Sequence, residues 1–276
     1  MGRLIVGTEN NAGIELYYED HGAGQPVVLV PGYPLDGRSW ERQELVLLEA
    51  GFRVVTYDRR GFGRSDRPAI GYDYDTLAAD LHALLERLEL ENAVLVGFSM
   101  GTGEIVRYLG TYGSARVAKA VLIGSLPPCL LRSDENAQGF DGERFDEIRT
   151  AITDDRYAYL EDLLNDFYNV DLLGGTRISD QAWQAAFILA ADASPLAMLG
   201  CVDSWSTDFR NDLRTIDVPV LALHGADDRI LPIQATAHRL GTVLDDLRLV
   251  TVEGGPHSIT WTHADEVNRA LLAFLT

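Results

Sequence analysis

The sequence is poor in cysteine and has no long apolar run. Its two cysteines, Cys129 and Cys201, lie far apart and have no metal-ligand pattern around them. Two such residues do not make a disulfide framework, so we expect reduced thiols and a cytoplasmic protein. No stretch of about 18 residues is uniformly apolar, so no membrane span is expected. The N-terminus lacks the basic and apolar regions of a signal peptide and is expected to form the first strands of the domain.

Lysine is almost absent, and the charge balance is strongly acidic. The chain has 23 Lys and Arg residues, of which only Lys119 is a lysine, against 42 Asp and Glu residues, giving a formal net charge of −19. Such a surface repels the phosphates of nucleic acids and anionic lipid headgroups. We therefore expect no nucleic-acid partner and no membrane partner, which leaves small molecules as the candidate ligands.

The 276 residues suffice for one large domain, and its apolar pattern indicates an α/β fold. Six short apolar runs predict strands buried on both faces, at residues 27–30, 54–57, 93–96, 120–123, 218–223 and 247–252. Runs without alternation favour a central parallel sheet. Between them, residues 74–90 and 263–275 carry apolar side chains at spacings of three and four, as amphipathic helices do. The alternation predicts a doubly wound, mostly parallel sheet.

One long interval, residues 126–215, interrupts this alternation. It contains no clear buried strand but has four amphipathic segments, at 145–151, 158–168, 179–191 and 195–202. The interval is too regular in pattern to be a single irregular loop. We therefore expect a helical cap at 126–215, inserted into a core formed by residues 1–125 and 216–276.

A glycine-flanked serine follows the third of the predicted strands. The stretch LVGFSMGTG places Ser99 between Gly97 and Gly101, directly before a helix-like segment. In a strand–turn–helix unit, this G-x-S-x-G pattern exposes a serine hydroxyl at a helix N-terminus, where backbone N–H groups favour developing negative charge. Glycines allow the strand and helix to approach each other closely. Ser99 is therefore the candidate nucleophile.

A serine nucleophile needs a base, and the base needs a carboxylate to orient it. Among six histidines, His257 follows the last predicted strand in a Gly-Gly-Pro loop, where loops at the carboxyl ends of parallel strands form an active-site crevice. His263 is the alternative, and His224, at a strand end, is expected to be structural. The carboxylate is expected after the preceding strand, where HGADDRILP offers Asp227 and Asp228, and spacing alone does not choose between them.

The same chemistry requires two N–H donors for a tetrahedral oxyanion. The residue after the nucleophile, Met100, supplies one in this type of fold. The second is expected from the loop Pro-Gly-Tyr-Pro after the first buried strand, where Tyr33 N–H is the natural donor. Pro34 biases Tyr33 toward an extended conformation.

A family resemblance runs over nearly the whole chain, from about residue 13 to residue 274. It is carried by GYPLDGRSWERQ, YDRRGFGRS, GFSMGTGE, HGADDRILP, EGGPHSITWTHADEVN and the cap-region string CVDSWSTDFRNDLRTIDVPVL. These strings closely resemble the metal-free, non-haem haloperoxidases, or perhydrolases, of the α/β-hydrolase superfamily. The resemblance implies an α/β-hydrolase fold, a triad of Ser99, Asp228 and His257, and an oxyanion hole formed by Tyr33 and Met100.

The resemblance also implies a reaction without metal or cofactor. Acyl-Ser99, formed from an ester or carboxylic acid, would react with water to give an acid or with hydrogen peroxide to give a peracid, which oxidises bromide or chloride. Pro34 is implied to place a backbone carbonyl that holds hydrogen peroxide. Pro31 stands where the family usually has histidine, a side chain that often ties the oxyanion loop. Family members commonly form trimers or larger homo-oligomers, so we expect an oligomer.

Two alternative functions are compatible with the same sequence. The protein could be a plain carboxylesterase, lactonase or amidase that uses peroxide incidentally, or a hydrolase-fold receptor for a small molecule. Epoxide hydrolases and haloalkane dehalogenases use an aspartate nucleophile and are excluded because a serine, Ser99, stands at the turn between strand and helix. Acyl-group preference depends on cap side chains, and we expect Phe167, Trp205 and Ile230 to form pocket walls, with Pro34 at the peroxide pocket.

Overall fold

A computed structural model describes all 276 residues and contains one eight-stranded sheet. The strand order is β1-β2-β4-β3-β5-β6-β7-β8. β1 pairs antiparallel with β2 and β2 antiparallel with β4, whereas every other pairing is parallel. The strands are β1 Gly2–Glu9, β2 Ala12–Gly22, β3 Pro26–Val30, β4 Arg53–Tyr57, β5 Ala93–Phe98, β6 Val117–Ile123, β7 Val220–Gly225 and β8 Leu247–Val252.

The six predicted strands correspond to β3–β8, and the predicted α/β fold is confirmed. Three strands of the parallel part are covered on both faces, since every residue of β3, β5 and β7 is buried. β8 corrects the prediction, since only Val252 among its residues is buried. Because β8 is the edge strand of the parallel part, it packs against one neighbouring strand only.

Helices pack around the sheet in groups. α1 packs against α11, and α2 packs against α3, which follows the candidate nucleophile. α2 begins after Asp73, whose side chain accepts a hydrogen bond from Thr76 N–H and so caps the helix. The helices are α1 Glu41–Glu49, α2 Tyr74–Arg87, α3 Met100–Tyr112, α4 Glu143–Tyr168, α5 Val170–Leu173, α6 Asp180–Ala191, α7 Pro195–Ser204, α8 Arg210–Leu213, α9 Ala237–Leu240, α10 Ile259–Thr262 and α11 Ala264–Leu275.

Five of these helices, α4–α8, lie between β6 and β7. The segments predicted at 145–151 and 158–168 both lie in α4, on either side of a kink. α4 is interrupted at Asp155, whose backbone is non-helical (φ −152°, ψ 93°). The Asp155 carboxylate accepts hydrogen bonds from the N–H groups of Tyr157 and Ala158 at 3.0 and 3.1 Å, so it caps the second half of the helix.

No single helix is both long and apolar enough to cross a membrane. Only α6 and α7 taken together reach that length and composition, and they are bent by 91° at the break between them.

Candidate active site

Ser99 lies in a sharp turn between β5 and α3. Its backbone is in the positive-φ region (φ 52°, ψ −119°), which is strained for a residue with a side chain and is held here by the surrounding structure. A Cβ on Gly97 would lie 2.7 Å from the Gly101 carbonyl oxygen, and one on Gly101 would lie 2.5 Å from that of Val30. The two glycines therefore let the strand, the helix and the loop after β3 meet at Ser99.

The structure brings three of the predicted residues into one hydrogen-bonded chain. His257 Nε2 lies 2.8 Å from Ser99 Oγ, and His257 Nδ1 lies 2.7 Å from Asp228 Oδ2. All three side chains are buried. They come from the carboxyl ends of three parallel strands, β5, β7 and β8, so the sheet itself assembles the site.

The other candidates for base and carboxylate are elsewhere. Asp227 is exposed, although its backbone N–H donates to the Gly255 carbonyl. His263 Nδ1 lies 2.9 Å from the hydroxyl of its neighbour Thr262 and makes no contact with Ser99. The geometry therefore favours Asp228 and His257.

The Asp228 carboxylate is held at both oxygens. Oδ1 accepts hydrogen bonds from the backbone N–H groups of Ile230 (2.9 Å) and Leu231 (2.7 Å), while Oδ2 faces His257 and His224. Burial raises the pKa of this carboxyl, but its electrostatic and hydrogen-bonding interactions with His257 and His224 more than offset that effect and hold the pKa well below its usual range. Asp228 is consequently an anion at neutral pH.

His224 has a role at this carboxylate that the sequence did not reveal. The Ser125 N–H donates to His224 Nδ1 at 3.2 Å, so Nδ1 carries no proton and Nε2 carries it. Nε2 lies 2.8 Å from the Leu231 carbonyl oxygen and 3.1 Å from Asp228 Oδ2. The Nε2–H of His224 therefore donates to the Leu231 carbonyl and also faces Asp228 Oδ2. The only sequence signal was its position four residues before Asp228, at the end of a strand.

The two expected oxyanion donors are both free of protein acceptors. Neither Tyr33 N–H nor Met100 N–H donates a hydrogen bond within the protein. Met100 is the first residue of α3, and a Cβ on Gly32 would lie 3.1 Å from the Ser99 Cβ, so the loop that carries Tyr33 passes directly beside the candidate nucleophile. The arrangement can receive a developing oxyanion next to Ser99.

Comparison with known proteins identifies the family. The model of the alpha/beta hydrolase fold family matches residues 25–264. The chain is 58% identical to a putative non-haem chloroperoxidase of Synechocystis sp., over 100% of both chains. The bromoperoxidase structure from Bacillus anthracis matches with a TM-score of 0.94 and 43% identity over 99% of each chain. The chain belongs to the non-haem haloperoxidases.

A second relative bears on the chemistry of this family. The haloperoxidase chain described here is 35% identical to a bifunctional esterase/perhydrolase of Acinetobacter calcoaceticus, over 95% of this chain and 96% of that protein. These matches confirm the predicted family, the predicted fold and the expectation of an enzyme.

A cavity of about 380 Å³ opens onto Ser99 in this haloperoxidase, and 14 of its 20 lining residues are hydrophobic. Phe167, Trp205 and Ile230 line it, as expected, together with Tyr33 and Met100. Pro34 does not: it is buried in a turn in which Leu35 N–H bonds back to the Gly32 carbonyl. Pro34 is therefore not among the residues that line the cavity, and its part in peroxide binding stays a prediction.

Helix α4 contacts the candidate base directly. The Phe167 ring, near the end of α4, lies edge-on to the His257 ring with 4.8 Å between centroids. The Ser258 N–H donates to the Phe167 carbonyl at 2.9 Å. Phe167 therefore belongs both to the cavity wall and to the packing that holds the His257 loop.

Proposed function

We propose that the protein is a serine esterase and perhydrolase that works through an acyl-Ser99 intermediate and supplies peracid for halide oxidation. The observation that carries this proposal is the chain Ser99 Oγ–His257–Asp228, with distances of 2.8 and 2.7 Å. A serine activated by a histidine, which is in turn oriented by a carboxylate, is the arrangement that acyl transfer requires.

Acylation follows from the positions of these groups. His257 Nε2 accepts the Ser99 proton as Oγ attacks the carbonyl carbon of an ester. Asp228, held by the N–H groups of Ile230 and Leu231, keeps His257 Nδ1 protonated and stabilises the imidazolium. The N–H groups of Tyr33 and Met100 stabilise the oxyanion. When the tetrahedral intermediate collapses, the C–O bond breaks and His257 gives its proton to the departing alcohol.

Deacylation determines the product. His257 takes a proton from water or from hydrogen peroxide, and the remaining oxygen nucleophile attacks the acyl-enzyme, releasing a carboxylic acid or a peracid and restoring the Ser99 hydroxyl. In solution, the peracid transfers one oxygen atom to bromide, giving the carboxylate and hypobromous acid. Peroxide binding is supported by the turn after β3, where the carbonyl oxygens of Tyr33 and Pro34 accept no hydrogen bond within the protein.

Charges at the cavity favour uncharged acyl donors. Two arginines line it, and both are already paired: Arg144 lies 3.4 Å from Glu147, and Arg229 makes two hydrogen bonds to Asp171, at 2.8 and 3.0 Å. Two further carboxylates also line the cavity, those of Asp162 and Asp166. An anionic substrate would find no unpaired cation there and would face a net charge of −19 on the whole protein. Esters, and carboxylic acids in their protonated form, are the substrates that this charge pattern accepts.

The test is hydrolysis of p-nitrophenyl acetate by the wild type and by Ser99→Ala, both shown to be folded by circular dichroism. Because members of such a triad act as a unit, Ser99→Ala is expected to lower kcat by at least about 10⁴-fold. Ser114→Ala, just beyond the other end of α3, is the matched control and is expected to leave kcat unchanged. Equal turnover by Ser99→Ala and the wild type would refute the proposal.

Peroxide use needs its own measurement, because a plain carboxylesterase, lactonase or amidase would pass the first test. Initial rates of peracid and acid formation are compared from one ester at the same peroxide concentration. Bromination is then followed with and without a carboxylic acid or ester. We expect bromination to require the acyl donor, and an equal rate without it would exclude the peracid route.

We also propose a cytoplasmic location and a homo-oligomeric state, trimeric or larger. Both cysteines are free thiols, as in proteins of a reducing compartment. Cell fractionation and sedimentation of the purified protein test the two statements; recovery outside the cytoplasm, or a mass near the 30.4 kDa of one chain, would contradict them.

A further inference from the structure

The buried ion pair between Arg59 and Glu104 takes no part in the proposed steps of acyl transfer. Arg59 and Glu104 are in contact, and each side chain is only 1% exposed. Tyr57 OH donates to the second oxygen of Glu104 at 2.7 Å, and Arg59 Nη2 donates to the Pro31 carbonyl oxygen at 2.5 Å. A buried ion pair recovers its desolvation cost poorly, so stability alone is a weak reason for its presence.

This network joins the two segments that carry the expected oxyanion donors. Pro31 starts the loop whose third residue is Tyr33, and Glu104 lies four residues, about one turn, after Met100 on α3. The segments are in direct contact, since a Cβ on Gly101 would lie 2.9 Å from the Pro31 carbonyl oxygen. Pro31 has no N–H and no polar side-chain group, so its carbonyl is the only hydrogen-bonding group it offers, and Arg59 binds it.

We propose that Arg59 and Glu104 are positioning residues that set the distance between the Tyr33 and Met100 N–H groups. The inference rests on the proposed acyl transfer, because it concerns the oxyanion of that reaction. Arg59 holds the loop through Pro31, Glu104 holds Arg59 from α3, and Tyr57 fixes the Glu104 carboxylate. Neither residue lines the cavity, so both act through the backbone.

The expected effect is on the transition state rather than on substrate binding. Complete loss of one oxyanion donor costs about 10²–10³ in kcat. Displacing a donor that is still present should cost less, about 10–100-fold in kcat, with KM changed less than about twofold, because the ground-state carbonyl depends little on these donors.

The chain supplies a matched control in the next residue. Arg60 forms a bidentate pair with Asp80 on α2, at 2.7 and 2.6 Å, with side chains 5% and 4% exposed. This pair is nearly as buried as Arg59–Glu104 but makes no hydrogen bond or ion pair with Pro31 or with α3. Replacing both members of each pair avoids leaving an uncompensated buried charge. The variants are Arg59→Met/Glu104→Leu and Arg60→Met/Asp80→Leu.

The experiment measures kcat and KM for p-nitrophenyl acetate, the inhibition constant of a boronic acid that forms a tetrahedral adduct on serine, and Tm. We expect Arg59→Met/Glu104→Leu to lose about 10–100-fold in kcat and the same factor in boronate affinity, with KM nearly unchanged. Arg60→Met/Asp80→Leu is expected to retain kcat and boronate affinity within about twofold, whatever its Tm. Equal losses in both double variants, or none in the first, would overturn the inference.

Two further results keep the inference testable. If the first double variant does not fold, Arg59→Lys replaces it. A lysine keeps the positive charge near Glu104, but it lacks the planar guanidinium whose separate N–H groups bind Glu104 and Pro31 at the same time. We therefore expect kcat to fall while KM stays nearly unchanged. An unchanged kcat in Arg59→Lys would overturn the proposal. Failure of the underlying function is recognised separately, because Ser99→Ala would then be as active as the wild type.

Discussion

Replacing Asp228 by asparagine tests the hydrogen-bond directions of the candidate site. The new side chain has nearly the same shape, so one oxygen can still accept from the N–H groups of Ile230 and Leu231. Those two donors fix which way the amide is turned. Its NH₂ group must therefore take the place of Oδ2, facing His257 Nδ1 and His224 Nε2.

The first consequence is loss of activity. An NH₂ group donates to His257 Nδ1, which then carries no proton, and the proton moves to Nε2, where the base must be free to receive the Ser99 proton. A change of this kind in a serine triad lowers kcat by about 10⁴-fold, or about 5 kcal/mol of transition-state stabilisation. The expected effect is on kcat, because the cavity that binds the acyl group is unchanged.

The second consequence is loss of stability, and it is specific to this protein. His224 is locked as a donor by the Ser125 N–H on Nδ1, so the NH₂ group introduced by Asp228→Asn would oppose the His224 N–H. One unsatisfied buried donor costs about 1–3 kcal/mol. The folded protein holds the pKa of Asp228 below its unfolded-state pKa of about 3.9. The Asp228 charge therefore stabilises the fold fully above that pH, and this stabilisation is lost as the pH falls further. The stability difference between wild type and variant should therefore shrink in acid.

The assays are ester hydrolysis and urea unfolding, at pH 7 and in steps down to about pH 3. His224→Gln provides the sharper comparison, because the oxygen of its amide can accept from the NH₂ group that Asp228→Asn introduces. The double variant Asp228→Asn/His224→Gln is expected to regain stability relative to Asp228→Asn but no activity. Retention of more than about a tenth of kcat by Asp228→Asn, or no recovery of stability in the double variant, would refute these hydrogen-bond assignments.

Two further predictions concern packing and thiols. Gly101→Ala places a Cβ 2.5 Å from the Val30 carbonyl oxygen. The free energy of unfolding should fall by about 1–3 kcal/mol, and kcat should fall because the loop after β3 is displaced. Unchanged thermal unfolding and an unchanged kcat would contradict the close approach. Cys201 is fully buried, which raises the pKa of its thiol to about 12, whereas Cys129 is partly exposed. A thiol reagent should titrate only Cys129 in the native protein and both cysteines in urea, and rapid labelling of native Cys201 would show that the core is open.

The features that could be predicted from sequence are those set by local pattern and sheet topology. Ser99 lies in a five-residue pattern, and His257 follows the last strand, so the rule that loops at the carboxyl ends of strands converge brings both into one crevice. Spacing could not separate Asp227 from Asp228. What separates them is a turn in which the Asp228 carboxylate accepts the N–H groups two and three residues ahead.

Features that depend on distant contacts could not be predicted in this way. Arg59 and Glu104 lie 45 residues apart, and nothing in either local pattern marks them as partners. Helical spacing predicts the two segments on either side of the kink in α4, but nothing in that spacing indicates that they continue into each other at Asp155, whose side chain caps the second segment. β8 was expected to be buried on both faces because its apolar composition does not reveal that it is an edge strand.

The candidate catalytic residues and the cavity walls come from different elements of the fold. Ser99, Asp228 and His257 follow strands of one sheet, whose ladders fix their relative positions, whereas most of the cavity walls come from α4 and the segment before it. Substitutions in those walls should therefore change acyl preference without disturbing the hydrogen-bonded chain. Phe167 is the exception, because it lines the cavity and also packs edge-on to the His257 ring. A smaller residue there would enlarge the cavity and loosen the candidate base together, so acyl preference and kcat cannot be altered independently at this position.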